Sequence, residues 1–247
     1  MATDWRKDLE KLPDFGPEFT LAPARTALVL IDMQYLDAHP DYGLGKVLRE
    51  RYPEAAGYFC DRLAKTVIPN QRRLLAAFRD ARLRIVHLTV GAHLPDNSDF
   101  VPLRREADER VERETGKKPV CYPMGTFEHG ILPEVAPRPG ELVLNKVSRS
   151  AFTSTGLDQI LRNMGVDHLL VTGVMTNSCV EMTARDAADR GYKTVIVDDA
   201  SATFTQDMHD AVLRTFRMLY GKVQTTDEVL AEIAAGLGGA RRAAGAA

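Results

Sequence analysis

The chain has few cysteines: Cys60, Cys121 and Cys179 are the three among 247 residues. Three scattered thiols cannot build the disulfide framework of a small secreted domain, and no CxxC pair marks a structural zinc site. Long apolar runs are also missing. Nothing approaches the ~18 consecutive apolar residues of a membrane span. The opening MATDWRKDLEKL is charged and has no apolar core of a signal peptide, so the expected address is a reducing cytoplasm, where a free thiol survives. An excess of either charge is lacking too. Lys and Arg number 32 against 34 Asp and Glu, a formal net charge of -2, which gives no electrostatic reason to seek nucleic acid or an anionic membrane. The pair Arg104-Arg105 is accompanied by acidic residues, so that stretch reads as a solvated face.

What is present is an alternation. Apolar runs at 26–31 (TALVLI), 83–90 (LRIVHLTV), 141–144 (ELVL), 168–172 (HLLVT) and 193–197 (KTVIV) are short, rich in Val, Ile and Leu, and not alternating. That is the pattern of strands buried on both faces. Between and after them, helical spacing covers 68–81, 157–164, 179–190, 208–219 and 226–235, and Gly165 and Gly191 close two of these. Strands alternating with such helices predict an α/β fold: a three-layer α/β/α single domain around a mainly parallel central sheet. The expected core spans about 24–235, with an N-terminal extension over 1–23. The tail 236–247 (GLGGARRAAGAA) is small-residue and Gly-rich and is expected to be frayed. Segments 37–65 and 95–118 read as insertions, serving as lids or oligomer contacts.

Right-handed crossovers place the strand C-terminal ends along one edge. Three residues with chemistry fall there: Asp32 after LVLI, Lys146 after LVLN, and Cys179 after the HLLVT run, at the start of a helix. Each has a plain alternative. An Asp after a strand often only caps a turn, a lone Lys is usually solvated, and a Cys entering a helix is usually small core filler. Their joint placement carries more. A helix N-terminus and an ammonium both favour thiolate, and a carboxylate can take the thiol proton and return it to a departing amine. Backbone N–H groups of Met175 and Cys179 are the expected oxyanion donors, worth roughly 3 kcal/mol each.

The blocks VLIDMQ and GELVLNKVSRSAFTSTGLDQILRNMGVDHLLVTGVMTNSCVEMTARDAADRGYKTVIVDDA, in this order and spacing, resemble the isochorismatase-like cysteine hydrolases. The resemblance covers roughly residues 24–222. It implies a catalytic triad of Asp32, Lys146 and Cys179 and a cis peptide between Val174 and Met175. It implies cleavage of an amide or ureido bond through a thioester, and a homodimer or homotetramer. Nicotinamidases in this family hold a metal through an Asp-x-His…His cluster after the second strand. Here that region reads HLTVGAHLPDNSDF, with no Asp-x-His before His87 and His93. His87 reads as a core histidine, and the expectation is no metal and no cofactor.

For the substrate, Tyr35 and Phe152 are the expected apolar wall, with core packing an equal alternative. Arg149 is the candidate for a substrate carboxylate or carbonyl, against a surface salt bridge. Thr176 and Asn177, in the nucleophile loop, contact substrate or cap the helix. Among similar proteins, ureido- and carbamoyl-cleaving members are nearest in pattern. Biuret hydrolases carry a substrate-binding Gln where FRMLYGKV here offers Leu219 and Tyr220. Two other readings stay open at this stage: a vinyl ether hydrolase using Asp32 as acid with Cys179 a bystander, and a catalytically silent binding protein.

Overall fold

A computed structural model of the chain describes residues 5–11, 13, 15–116 and 123–245; Cys121 lies outside them. Six parallel strands form one sheet: β1 Thr26–Ile31, β2 Arg84–Val90, β3 Leu142–Lys146, β4 His168–Val174, β5 Lys193–Ala202 and β6 Lys222–Gln224. Their order is β3-β2-β1-β4-β5-β6. The chain winds outward from β1 in one direction and then, from β4, in the other. The seam between β1 and β4 is therefore the place where α/β sheets open a crevice at the strand C-terminal ends.

The helices are α1 Trp5–Leu9, α2 Tyr35–Ala38, α3 Gly43–Arg51, α4 Pro53–Arg62, α5 Ile68–Asp80, α6 Pro102–Thr115, α7 Ala151–Ser154, α8 Leu157–Asn163, α9 Glu181–Asp189, α10 Gln206–Leu219 and α11 Thr226–Gly245. They cover both faces of the sheet. Strand side chains alternate, so Leu28 and Leu30 of β1 pack into one core with Leu74 and Phe78 of α5 and Ile233 of α11. Ala27, Val29 and Ile31 pack into the other, with Leu161 of α8, Ala187 of α9 and Phe216 of α10. The three-layer α/β/α expectation holds.

Three local expectations need correction. The ELVL run is not buried on both faces: β3 is an edge strand, and Val143 is 45% exposed. The sixth strand, β6, was not legible, because KVQ is too short to show a pattern. The tail over 236–245 is not frayed but continues α11. Its glycines, unfavourable in an isolated helix, have a packing reason at Gly236. A Cβ there would lie 2.7 Å from Pro23 Cδ, so only glycine lets α11 lie this close to residues 21–25.

His87 is a core histidine, as read. It is buried, and its Nε2 lies 3.0 Å from Glu141 Oε2. Glu141 also receives two hydrogen bonds from Arg79. Burial alone would raise this carboxyl, but the Arg79 hydrogen bonds, the Arg138 N–H and His87 together hold it down at about 2. A carboxylate with a lowered folded-state pKa stabilises the fold above its unfolded value and loses that contribution as pH falls toward the folded one. Glu141→Gln is therefore expected to destabilise the fold at pH 7 by about 1–2 kcal/mol after solvent screening, and so to lower the melting temperature. The difference from wild type should narrow between pH 4.5 and pH 2. A difference independent of pH in thermal melts would show that the charge contributes nothing.

Candidate active site

β1 ends at Ile31, and the next residue, Asp32, turns the chain with φ at 53°, in the left-handed region. Asp tolerates that region better than most residues, and held conformations of this kind concentrate at functional sites. The Asp32 N–H donates to Leu88 O of β2 at 2.9 Å, which fixes the backbone while the side chain turns to the sheet edge. Lys146 is the last residue of β3, two strands away. Strand spacing makes that gap roughly 10 Å, within reach of a lysine stem and a carboxylate together. The two meet: Lys146 Nζ donates to Asp32 Oδ2 at 2.9 Å, and the lysine and aspartate side chains are 0% and 1% exposed.

Near the end of β4, Gly173 (φ 114°) lies where a Cβ would be 2.1 Å from Ile31 O, so the strand ends can approach only with glycine there. The Val174–Met175 peptide is cis, at the expected position. A wide helical turn, Thr176–Val180, then leads into α9. This turn, not the first turn of α9 itself, carries Cys179. Its thiol interacts with both Asp32 and Lys146. The second oxygen of Asp32, Oδ1, is buried with no hydrogen-bond partner of ordinary geometry among the described residues. Asp32 thus holds an ammonium on one oxygen while the other stays unpartnered. The structure brings all three residues together.

The electrostatics of this triad differ from the sequence expectation in one respect. Burial, and then the negative charge of Asp32, push the Cys179 thiol up to about 12, and Lys146 only partly offsets this. The resting sulfur is a thiol, not the thiolate the helix N-terminus and ammonium were expected to favour. Burial also raises the Asp32 carboxyl, against the opposing pull of Lys146. Lys146 would be lowered by burial, but the charge of Asp32 and the hydrogen bond to it more than compensate and keep it protonated. The site therefore pairs a protonated thiol with a carboxylate more basic than usual, a combination able to transfer a proton.

The triad opens into a cavity of about 210 Å³. Asp32, Met175, Asn177, Ser178, Cys179 and Arg149 are on its wall. Tyr35, Phe152 and Thr176 are not. Tyr35 stacks with Phe127, His39 and Tyr42 in an aromatic cluster. Phe152 is buried in the core, with its ring 5.7 Å from that of Tyr192. Tyr35 and Phe152 take the packing alternative instead of forming the apolar wall, because both rings find aromatic partners of their own. The actual apolar wall is Leu44, Val90, Phe100, Val101, Val147 and Phe204. Thr176 is buried, its hydroxyl 2.9 Å from His209 Nδ1, and His209 Nε2 lies 2.9 Å from Asp198. Through this relay α10 and β5 hold the nucleophile turn in place. Asn177 accepts a hydrogen bond from Thr203 at 2.7 Å.

Both insertions contribute to the cavity: 37–65 through Asp37 and Leu44, and 95–118 through Phe100, Val101 and Arg104. Residues 117–118 of the second lie outside the described residues. Two side chains that sequence reasoning missed are thus Asp37 and Arg104. Among the described residues no group of three or more His, Cys, Asp or Glu could hold a metal ion. His93 bonds to Asp99, at 2.9 Å through Nδ1.

The family model described as the isochorismatase domain matches residues 26–228. The chain belongs to the isochorismatase family. Isochorismatase family protein YwoC of Bacillus subtilis is 32% identical over 167 residues, covering 68% of this chain and 83% of the relative. Ureidoacrylate amidohydrolase RutB of Pantoea ananatis is 31% identical over 188 residues, covering 72% and 70%. Among solved structures, a cysteine hydrolase from Pseudomonas syringae pv. phaseolicola superposes with a TM-score of 0.73 at 25% identity, over 91% of this chain and 99% of that one. N-carbamoylsarcosine amidase from Thermoplasma acidophilum does so with a TM-score of 0.57 at 26% identity, over 82% and 97%. No helix among the described residues is long and apolar enough to cross a membrane.

Proposed function

We propose that this isochorismatase-family hydrolase cleaves the C–N bond of a small amide or ureido compound, with Cys179 as nucleophile. The observation that carries the reading is the meeting, at the wall of one cavity, of a half-buried thiol and a buried carboxylate with one unpartnered oxygen, that carboxylate being paired with a buried ammonium. Cys179 Sγ attacks the carbonyl carbon while its proton passes to Asp32. The oxyanion is held by the backbone N–H groups of Met175 and Cys179, which places charge stabilisation where it develops. The C–N bond breaks as Asp32 returns the proton to the departing nitrogen, leaving a thioester on Cys179. Water, deprotonated by Asp32, then attacks the thioester; the acid leaves and the thiol is restored. Lys146 keeps the carboxylate ionised and oriented through both halves.

The relatives point the same way. RutB is named as an amidohydrolase of ureidoacrylate, and the Thermoplasma protein as an amidase of N-carbamoylsarcosine. Both names describe a carbamoyl nitrogen on a molecule that also carries a carboxylate. Arg149 is exposed on the cavity wall with no ion pair among the described residues, and it is assigned to a substrate carboxylate, which a guanidinium can bind with two hydrogen bonds. The assembly is proposed to be a homodimer or homotetramer, and the reaction to need no metal.

The test is release of ammonia from a panel of ureido acids, carbamoyl amino acids, biuret and aromatic amides, with and without EDTA. The expected result is turnover of at least one ureido or carbamoyl acid with kcat/KM of about 10⁴ M⁻¹s⁻¹ or above, unchanged by EDTA. Cleavage of a vinyl ether with none of the panel cleaved would replace this reading.

A further inference from the structure

Asp37 lies in the short helix that follows β1, five residues beyond Asp32, and its side chain is on the cavity wall with Cys179 and Asp32. Most of that wall is apolar: Leu44, Val90, Phe100, Val101, Val147 and Phe204 are on it. A carboxylate in such surroundings normally has an evident partner, yet the side chain of Asp37 makes no hydrogen bond or ion pair to any described residue. It does not cap its own helix, since the N-cap residue, Gln34, has no side-chain capping bond and Asp37 offers none in its place. Arg104 shares the wall and its charge acts on Asp37, but the ion pair Arg104 makes is with Asp108, at 3.5 Å. Structure alone therefore gives this carboxylate nothing to do.

A ligand would. Asp37 is close enough to the triad for its charge to act on the Cys179 thiol and to be acted on by Asp32 and Lys146. A small molecule with its carbonyl at Cys179 can therefore also touch Asp37. The site it offers is an acceptor-only carboxylate with two oxygens, which suits a group presenting N–H donors. A simple amide has nitrogen on one side of its carbonyl. A ureido group has nitrogen on both, so one nitrogen can face the triad while the other still donates to a carboxylate.

We propose that Asp37 is a specificity-determining residue that accepts N–H hydrogen bonds from a ureido group and so selects ureido compounds over simple carboxamides of the same shape. This rests on the amide and ureido hydrolase reading above. The ionised form does the accepting. In the ligand-free cavity burial, and then the charge of Asp32, raise this carboxyl to about 7 against the pull of Lys146 and Arg104. Loss of its charge below neutrality therefore weakens recognition in an accessible range. The groups that share its surroundings are Asp32, Lys146, Cys179, Arg104 and Arg149. Lys146 stays charged there, and a titration of Asp32 would act on the chemical step.

The experiment compares β-ureidopropionate with glutaramate, in which a CH₂ replaces one ureido N–H and the carboxylate is kept. Binding is measured by calorimetry on Cys179→Ala protein, with and without Asp37→Asn, and turnover is measured with Cys179 intact. The expected result is that β-ureidopropionate binds at least tenfold more tightly than glutaramate, and that Asp37→Asn removes that preference. The loss should fall on Kd and KM instead of kcat. The β-ureidopropionate Kd should also weaken below about pH 7 with Asp37 and be flat across that range with Asn. Equal binding of the two probes, or a preference that survives Asp37→Asn, would overturn the assignment. Lowered affinity for both probes alike would overturn it too, as the mark of a merely structural role. Turnover without dependence on Asp37 sinks this inference alone, whereas Asp37-dependent binding without turnover sinks the hydrolase reading alone. Neither binding nor turnover sinks both.

Discussion

Cys179→Ala is expected to reduce ammonia release by about 10⁴-fold or more, the scale seen when one member of a cooperating catalytic set is lost. The reason lies in where the energy goes. Without sulfur there is no thioester, and water must attack the amide directly, with only the oxyanion donors and bound-substrate positioning left to help. The substitution removes one polarizable atom from a partly buried position, so the melting temperature should change by only a few degrees. The check is ammonia release by the purified variant beside its thermal melt. Residual turnover within tenfold of wild type, in a folded protein, would make Cys179 a bystander and return the vinyl ether chemistry.

Lys146→Met has the second largest expected effect, and it acts on both stability and rate. Lys146 and Asp32 are buried together, and their pairing is the one strong charge contact of either. Removing the ammonium leaves Asp32 as an uncompensated buried carboxylate, a situation that costs about 3–5 kcal/mol. The carboxyl escapes by taking a proton, so its folded-state pKa rises further above the unfolded value. A group shifted upward in this way favours the fold below its unfolded pKa and disfavours it as pH climbs through the folded one. The variant should therefore melt roughly 10 °C below wild type at pH 8, and less far below at pH 5. A protonated Asp32 cannot accept the thiol proton, so turnover should fall by 10²-fold or more even where the protein is folded. Melts at the two pH values and initial rates at the lower one separate the two consequences. A pH-independent loss of stability would mean that Asp32 does not titrate in the variant.

Much of this was legible in the residues. Asp32, Lys146 and Cys179 each follow a short Val, Ile and Leu-rich run, and a parallel sheet must present such positions along one edge. What was not legible depended on surroundings that have no period. Asp37 lies in an insertion with no strand or helix pattern long enough to aim it. Arg104 belongs to a run of alternating charges over α6, and such runs usually face solvent; only the tertiary position of α6 turns one of them to the cavity. Phe152 was misplaced because aromatic residues near a site pack outward as readily as inward, and Tyr192, forty residues on, supplies its partner. The protonated state of Cys179 was missed for a related reason. The favourable charges were visible in the sequence, but the depth of burial that outweighs them was not. In α11 a glycine-rich tail was taken for frayed chain, when Gly236 is the contact that seats the helix on Pro23.

A covalent bond between the substrate carbonyl and Cys179 is detectable by rapid-quench mass spectrometry. Protein mixed with a turned-over ureido or amide compound and quenched in acid within the first turnovers should carry one acyl group, on the peptide containing Cys179 and not on that containing Cys60. Turnover at full rate with Cys179 unmodified at every quench time would contradict it.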